Sequence, residues 1–85
     1  MQSFTYTITE ENGIHARPAG LLADMAKKTN DSVTLFFGEK KADAKRLMSV
    51  MGLGVKKNDV LTVEVDGENE QTTAKELESF MKNNL

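Results

Sequence analysis

From Phe4 to Ile8 the chain alternates, FTYTI, with Phe4, Tyr6 and Ile8 on one side and threonines on the other. A period of two is what a strand with one buried face requires, because successive side chains point to opposite faces of a sheet. The rhythm then lengthens. In ARPAGLLADMAKKTN, residues 16–30, Ala19, Leu22, Ala23 and Ala26 recur every three or four positions. That spacing predicts an amphipathic helix, with Lys27 and Lys28 suited to its negative end and Asn30 as its stop. SVTLFF (32–37) and KKADA (40–44), joined by Gly38 and Glu39, predict a β-hairpin. KRLMSVMGLG (45–54) predicts a short apolar helix with Gly52 and Gly54 at its exit. VLTVEV (60–65) returns to the period of two, with Leu61, Val63 and Val65 on one face. After a turn at Asp66 and Gly67, ENEQTTAKELESFMKNNL (68–85) predicts a last amphipathic helix with Ala74, Leu77 and Met81 turned inward.

The element order is therefore β-α-β-β-α-β-α. Without a strict alternation of strand and helix, it favours an antiparallel sheet with its helices on one face. The predicted fold is α+β, a four-stranded antiparallel open-faced sandwich. Its two longer helices cover one face and its threonine-rich face stays open. Residues 1–85 contain no linker, repeat or low-complexity stretch, and are read as a single domain.

Composition narrows the functions this fold can carry. A chain of 85 residues has little room for an enclosed substrate cavity, so its chemistry belongs on the surface. A formal net charge of −2 argues against a nucleic-acid binder, which would show a basic stripe. The pairs Lys27-Lys28, Lys40-Lys41, Lys45-Arg46 and Lys56-Lys57 read as solvated faces. With no cysteine and a single histidine there is no thiolate or imidazole ligand set, and the acids at Glu10-Glu11 and from Asp66 to Glu70 lack the spacing of a calcium loop. No metal and no cofactor are called for. MQSFTYTITE has neither a basic start nor a long apolar run, and no stretch approaches the ~18 apolar residues of a membrane span. A soluble cytoplasmic protein is expected.

The only histidine and the only proline both lie in NGIHARPAG, residues 12–20. The predicted order puts this stretch at the passage from the first strand into the first helix. Asn12 and Gly13 make the turn, Ile14 anchors it in the core, and His15 falls at or beside the helix N-cap. Pro18 then occupies the first turn, where a missing N–H costs nothing because those donors have no intrahelical partner. The amides of Ala16 and Arg17 point outward with the positive end of the helix dipole behind them, which suits an anion. An imidazole there, with a guanidinium two residues on, can carry a phosphoryl group: a ring nitrogen is the nucleophile, and the amides and Arg17 hold the phosphoryl oxygens. The residues alone also admit plainer readings, a capping or solvated histidine or a reversible anion site.

Gly13-Ile14-His15-Ala16-Arg17-Pro18-Ala19 resembles the active-site signature of the HPr family, the histidine-containing phosphocarriers of the bacterial phosphoenolpyruvate:sugar phosphotransferase system. Chain length, element order, the 45–54 segment and the acidic turn before the last helix are similar too. The resemblance implies a relay protein and not an enzyme. By it, His15 is phosphorylated on Nδ1 by enzyme I and passes the group to sugar-specific EIIA domains; Arg17 stabilises the phosphoryl group and Pro18 shapes the helix start. It further implies a common docking face on the first and short helices. Leu21, Leu47, Met48 and Met51 are its apolar candidates, because the short segment carries more apolar side chains than a two-turn helix can bury, and Lys27 and Arg46 are its charged rim. A carrier that docks through one face in succession works most simply as a monomer.

One position departs from the pattern. Family members from Gram-positive bacteria typically carry a regulatory serine where this chain has Arg46, which accepts no phosphoryl group. Ser49 is the nearest hydroxyl, but a poor substitute: a phosphate there is expected among bonded amides and apolar neighbours. The competing function is a regulatory HPr-like protein that binds a partner without relaying phosphate.

Overall fold

The computed structural model describes residues 1–85. Seven elements follow in the predicted order: β1 (Gln2–Thr7), α1 (Ala16–Lys27), β2 (Ser32–Phe37), β3 (Lys40–Asp43), α2 (Leu47–Gly52), β4 (Val60–Asp66) and α3 (Glu70–Asn84). The four strands form one antiparallel sheet in the order β1-β4-β2-β3. The last strand in sequence thus lies between the first two, joined to β1 by Phe4 opposite Val63 and to β2 by Leu35 opposite the same Val63. That register stacks the inward residues in rows, Phe4-Val63-Leu35-Ala42 across all four strands.

All three helices lie on one face: α3 packs on β1 and β4, α2 packs on β3, and α1 packs on α2 and α3. The short helix therefore shares the cover that the sequence assigns to the two long ones. Between the layers is a core of 18 residues, among them Ile8, Leu22, Val50, Leu61, Val65, Leu77 and Met81. Fully burying an aliphatic side chain of this kind stabilises by roughly 1.5–3 kcal/mol, so the matched periods of strand and helix are what hold the sheet to its cover. Ser3, Thr5 and Thr7 stand exposed on the opposite face, beside half-buried Thr34, Phe36 and Thr62.

Several element ends differ from the sequence reading, each for a local polar reason. α1 stops at Lys27; Thr29 folds back to accept the Asp31 N–H on its hydroxyl at 3.1 Å. α2 begins at Leu47 and not at Lys45, because the Asp43 carboxylate takes the Lys45 N–H at 2.9 Å and holds residues 43–46 in a turn. In α3 the first turns also bury Thr73, beside Ala74, which is half-buried against the core. Thr73 is drawn inward by a partner: its hydroxyl donates to Asp31 Oδ2 at 2.9 Å. Asp31 is itself 2% exposed, and its Oδ1 also accepts the N–H of Asn69, the N-cap residue of α3. A carboxylate from the α1–β2 loop therefore caps a helix 38 residues later in the chain.

Candidate functional site

The passage from β1 into α1 is held at nearly every residue. Ile8 donates to the Asp59 carbonyl at 3.0 Å and accepts from the Asn58 N–H at 2.8 Å. The backbone N–H groups of Thr9 and Glu10, with the Thr9 hydroxyl, converge on the Leu85 carbonyl oxygen. Gly13 donates to the Glu10 carbonyl at 2.9 Å and Ile14 to the Val55 carbonyl at 3.0 Å. Gly13 has φ +64, and a Cβ built there would lie 2.3 Å from the Val55 oxygen. Only glycine allows both that conformation and that approach.

His15 is the N-cap residue of α1, with extended backbone at φ −109 and ψ −176. Its side chain makes no capping bond to the helix, and the imidazole is 41% exposed. The first bond of the helix ladder runs from the Ala19 N–H to the His15 carbonyl at 3.0 Å, which leaves the amides of Ala16 and Arg17 without a protein partner. Pro18, third in the helix, is buried and supplies no donor. Arg17 is exposed and makes no ion pair. Chemically the arrangement offers a nitrogen nucleophile, two free amides at a positive helix end and an unpaired guanidinium.

These groups line an open cleft of about 360 Å³. Glu10, Asn12, Pro18 and Leu21 line it with them, together with Asn83 and Asn84 from the end of α3. Glu10 Oε1 lies 4.0 Å from His15 Nε2. Neither Glu10 nor the asparagine pair is singled out by the sequence. Glu10 enters there only as part of an acidic pair without calcium-loop spacing, and nothing local announces that the end of the last helix returns beside the first loop. The one available signal is that Glu10 stands three residues before Gly13, within reach of a turn that folds back on itself.

The other residues named from the sequence divide by burial. Leu21, Leu47 and Met48 are exposed, at 46%, 37% and 76%, while Met51 is half-buried against the core. Lys27 and Arg46 are exposed. Ser49 is exposed and third in α2, whose first intrahelical donor is the Val50 N–H to the Arg46 carbonyl. The expectation of bonded amides around it is thereby corrected, since those of Leu47, Met48 and Ser49 precede the ladder. No helix is long and apolar enough to cross a membrane, and no three His, Cys, Asp or Glu residues are grouped to hold a metal ion.

An open-faced α+β sandwich with a lone histidine at the start of its first helix defines a class of small phosphoryl-carrier proteins, and comparison with known proteins agrees. Residues 2–83 match the family described as the PTS HPr component phosphorylation site. The chain is 37% identical over 67 residues to the phosphocarrier protein HPr of Mycoplasma capricolum subsp. capricolum, covering 79% of this chain and 75% of that one. Its fold is similar to a solved Mycoplasma histidine-containing phosphocarrier protein, with TM-score 0.93, 30% identity and coverage of 96% and 93%. HPr-C-His from Thermoanaerobacter tengcongensis is similar too, with TM-score 0.91, 32% identity and coverage of 96% and 92%. The chain belongs to the HPr family: it is a phosphocarrier of the phosphotransferase system, not an enzyme.

Proposed function

We propose that residues 1–85 act as a single carrier domain whose His15 takes a phosphoryl group from enzyme I and hands it to the EIIA domain of a sugar permease. The observation that carries this reading is the state of the helix start. The imidazole of His15 is exposed and unused as a cap, beside the unpartnered amides of Ala16 and Arg17. The Nδ1 lone pair attacks phosphorus, the nitrogen–phosphorus bond in the donor breaks, and its electron pair returns to the donor. Arg17 and the free amides offset the negative charge on the phosphoryl oxygens, and transfer to the acceptor repeats the step in reverse.

Exposed Leu21, Leu47 and Met48, with part of Met51, make the docking surface, and Lys27 and Arg46 steer acidic partners to it. Because the same face serves donor and acceptor in turn, the carrier works as a monomer, in the cytoplasm. Arg46 removes the serine input found in Gram-positive relatives.

The test mixes the protein with phosphoenolpyruvate, Mg²⁺ and catalytic enzyme I and follows phosphohistidine by ³¹P NMR. An acid-labile signal is expected, absent in His15→Ala, slow to form in Arg17→Ala and discharged by an EIIA domain. No signal, while a reference carrier is phosphorylated in the same tube, would overturn the relay in favour of a partner-binding regulator.

A further inference from the structure

Glu10 is held more firmly than a surface glutamate requires. Its backbone N–H donates to the Leu85 carbonyl and its carbonyl accepts the Gly13 N–H at 2.9 Å. Its side chain is fixed as well, because Oε1 accepts the Asn12 backbone N–H at 3.3 Å. That same oxygen stands 4.0 Å from His15 Nε2. Glu11, next in the chain, is by contrast 85% exposed and faces Lys57 at 4.0 Å. Of two adjacent acids, the loop aims one at the imidazole and leaves the other in solvent.

We infer that Glu10 is a positioning residue for the phosphoryl relay, pairing with the Nε2–H of His15 so that Nδ1 is the nitrogen that carries phosphorus. The inference rests on the relay function proposed above. When the Nδ1 lone pair forms its bond to phosphorus and the donor's bond breaks, the ring keeps its Nε2 proton and becomes positive. The carboxylate beside Nε2 stabilises that charge and holds the ring orientation. On transfer, the electron pair of the breaking bond returns to Nδ1, the charge disappears, and the same pairing leaves the neutral ring ready with its proton on Nε2. No proton has to move in either direction.

The size of the effect follows from exposure. A carboxylate buried against a catalytic histidine is worth about 10⁴-fold in rate. Here the side chains are 41% and 35% exposed, and water screens the pair. The expected effect is therefore about 3- to 5-fold.

Glu10→Gln, Glu10→Asp and Glu11→Gln are compared in phosphorylation by enzyme I. Glu10→Gln preserves side-chain size and an oxygen for the Asn12 N–H. It is expected to lower kcat about 3- to 5-fold with KM within about twofold, while Glu10→Asp restores at least half of the loss. Glu11→Gln, which removes the same charge, is expected to stay within about twofold of the parent. An unchanged kcat in Glu10→Gln, an equal loss in Glu11→Gln, or a change confined to KM would overturn the inference. Should the parent protein itself take no phosphoryl group, the relay reading fails separately. The pairing is then read from ¹⁵N spectra of the neutral His15 ring, where Glu10→Gln is expected to move population from the Nε2–H to the Nδ1–H tautomer. An unchanged tautomer ratio would overturn it on that measure too.

Discussion

Gly13 sits in the left-handed region with the Val55 carbonyl against its α-carbon, two residues before the histidine that the site depends on. A methyl group there meets both a conformational penalty and a backbone oxygen that cannot move without breaking the bond from Ile14. Gly13→Ala is therefore expected to destabilise the fold by about 2–4 kcal/mol, combining φ strain and overpacking. Urea unfolding with an unchanged m-value would measure it; a loss below ~1 kcal/mol would mean that the loop refolds around the methyl group. The signature GIHARPA displays this glycine openly, but its second constraint, contact with residues 55 and 56, belongs to a segment more than 40 positions away. Glu10 presents the same division. Its chemistry is visible in the chain, and its direction is not.

At the level of elements, α1 and α3 begin in different ways. The first helix leaves its initial amides free and its N-cap side chain turned out, whereas the last has an N-cap served by the buried carboxylate of Asp31. The free start is the one the proposed relay uses, and the capped start is structural. Asp31 binds the α1–β2 loop, the Asn69 N–H and the Thr73 hydroxyl together, and the backbone at Gly67 passes so close that an added Cβ would overlap its side chain. Asp31→Ala is expected to cost about 2–4 kcal/mol, since it leaves a buried hydroxyl and a helix-end N–H without their charged acceptor. Asp31→Asn, which keeps an acceptor without the charge, is expected to cost about half as much. Calorimetry on both variants checks the order; equal losses would mean that charge, not shape, holds the junction. Apolar periodicity assigned all seven elements correctly in type and order. It placed Leu77 and Met81 inward correctly and missed one inward residue of α3, because Thr73 is buried for a hydrogen bond and not for its hydrophobicity.

Over the whole molecule, exposed apolar side chains are unevenly placed. Leu21, Leu47 and Met48 stand on α1 and α2, two helices packed against each other, and Val60 lies in β4 among the residues of the open sheet face. Met48→Ala is expected to leave stability within ~0.5 kcal/mol and to raise the KM for enzyme I about fivefold, equivalent to ~1 kcal/mol of lost contact. Val60→Ala, which trims an exposed apolar side chain away from the two helices, is expected to leave KM unchanged. Steady-state phosphorylation assays of the two variants would decide, and an equal rise in KM for Val60→Ala would move the docking surface off the helices.

By itself the sequence determined the strand and helix rhythm, the sidedness of the sheet, and the histidine, arginine and proline of the helix start. These are properties of neighbouring residues, and a period of two or of three to four is written in consecutive positions. The tertiary structure alone decided that Asn83 and Asn84 close the cleft, that Asp31 caps α3, and that Glu10 faces Nε2 while Glu11 does not. Each of these depends on the insertion of β4 between β1 and β2 and on the return of α3 to the first loop. Those are choices among long-range pairings made by burial of the whole core at once, and no single stretch of the chain encodes them.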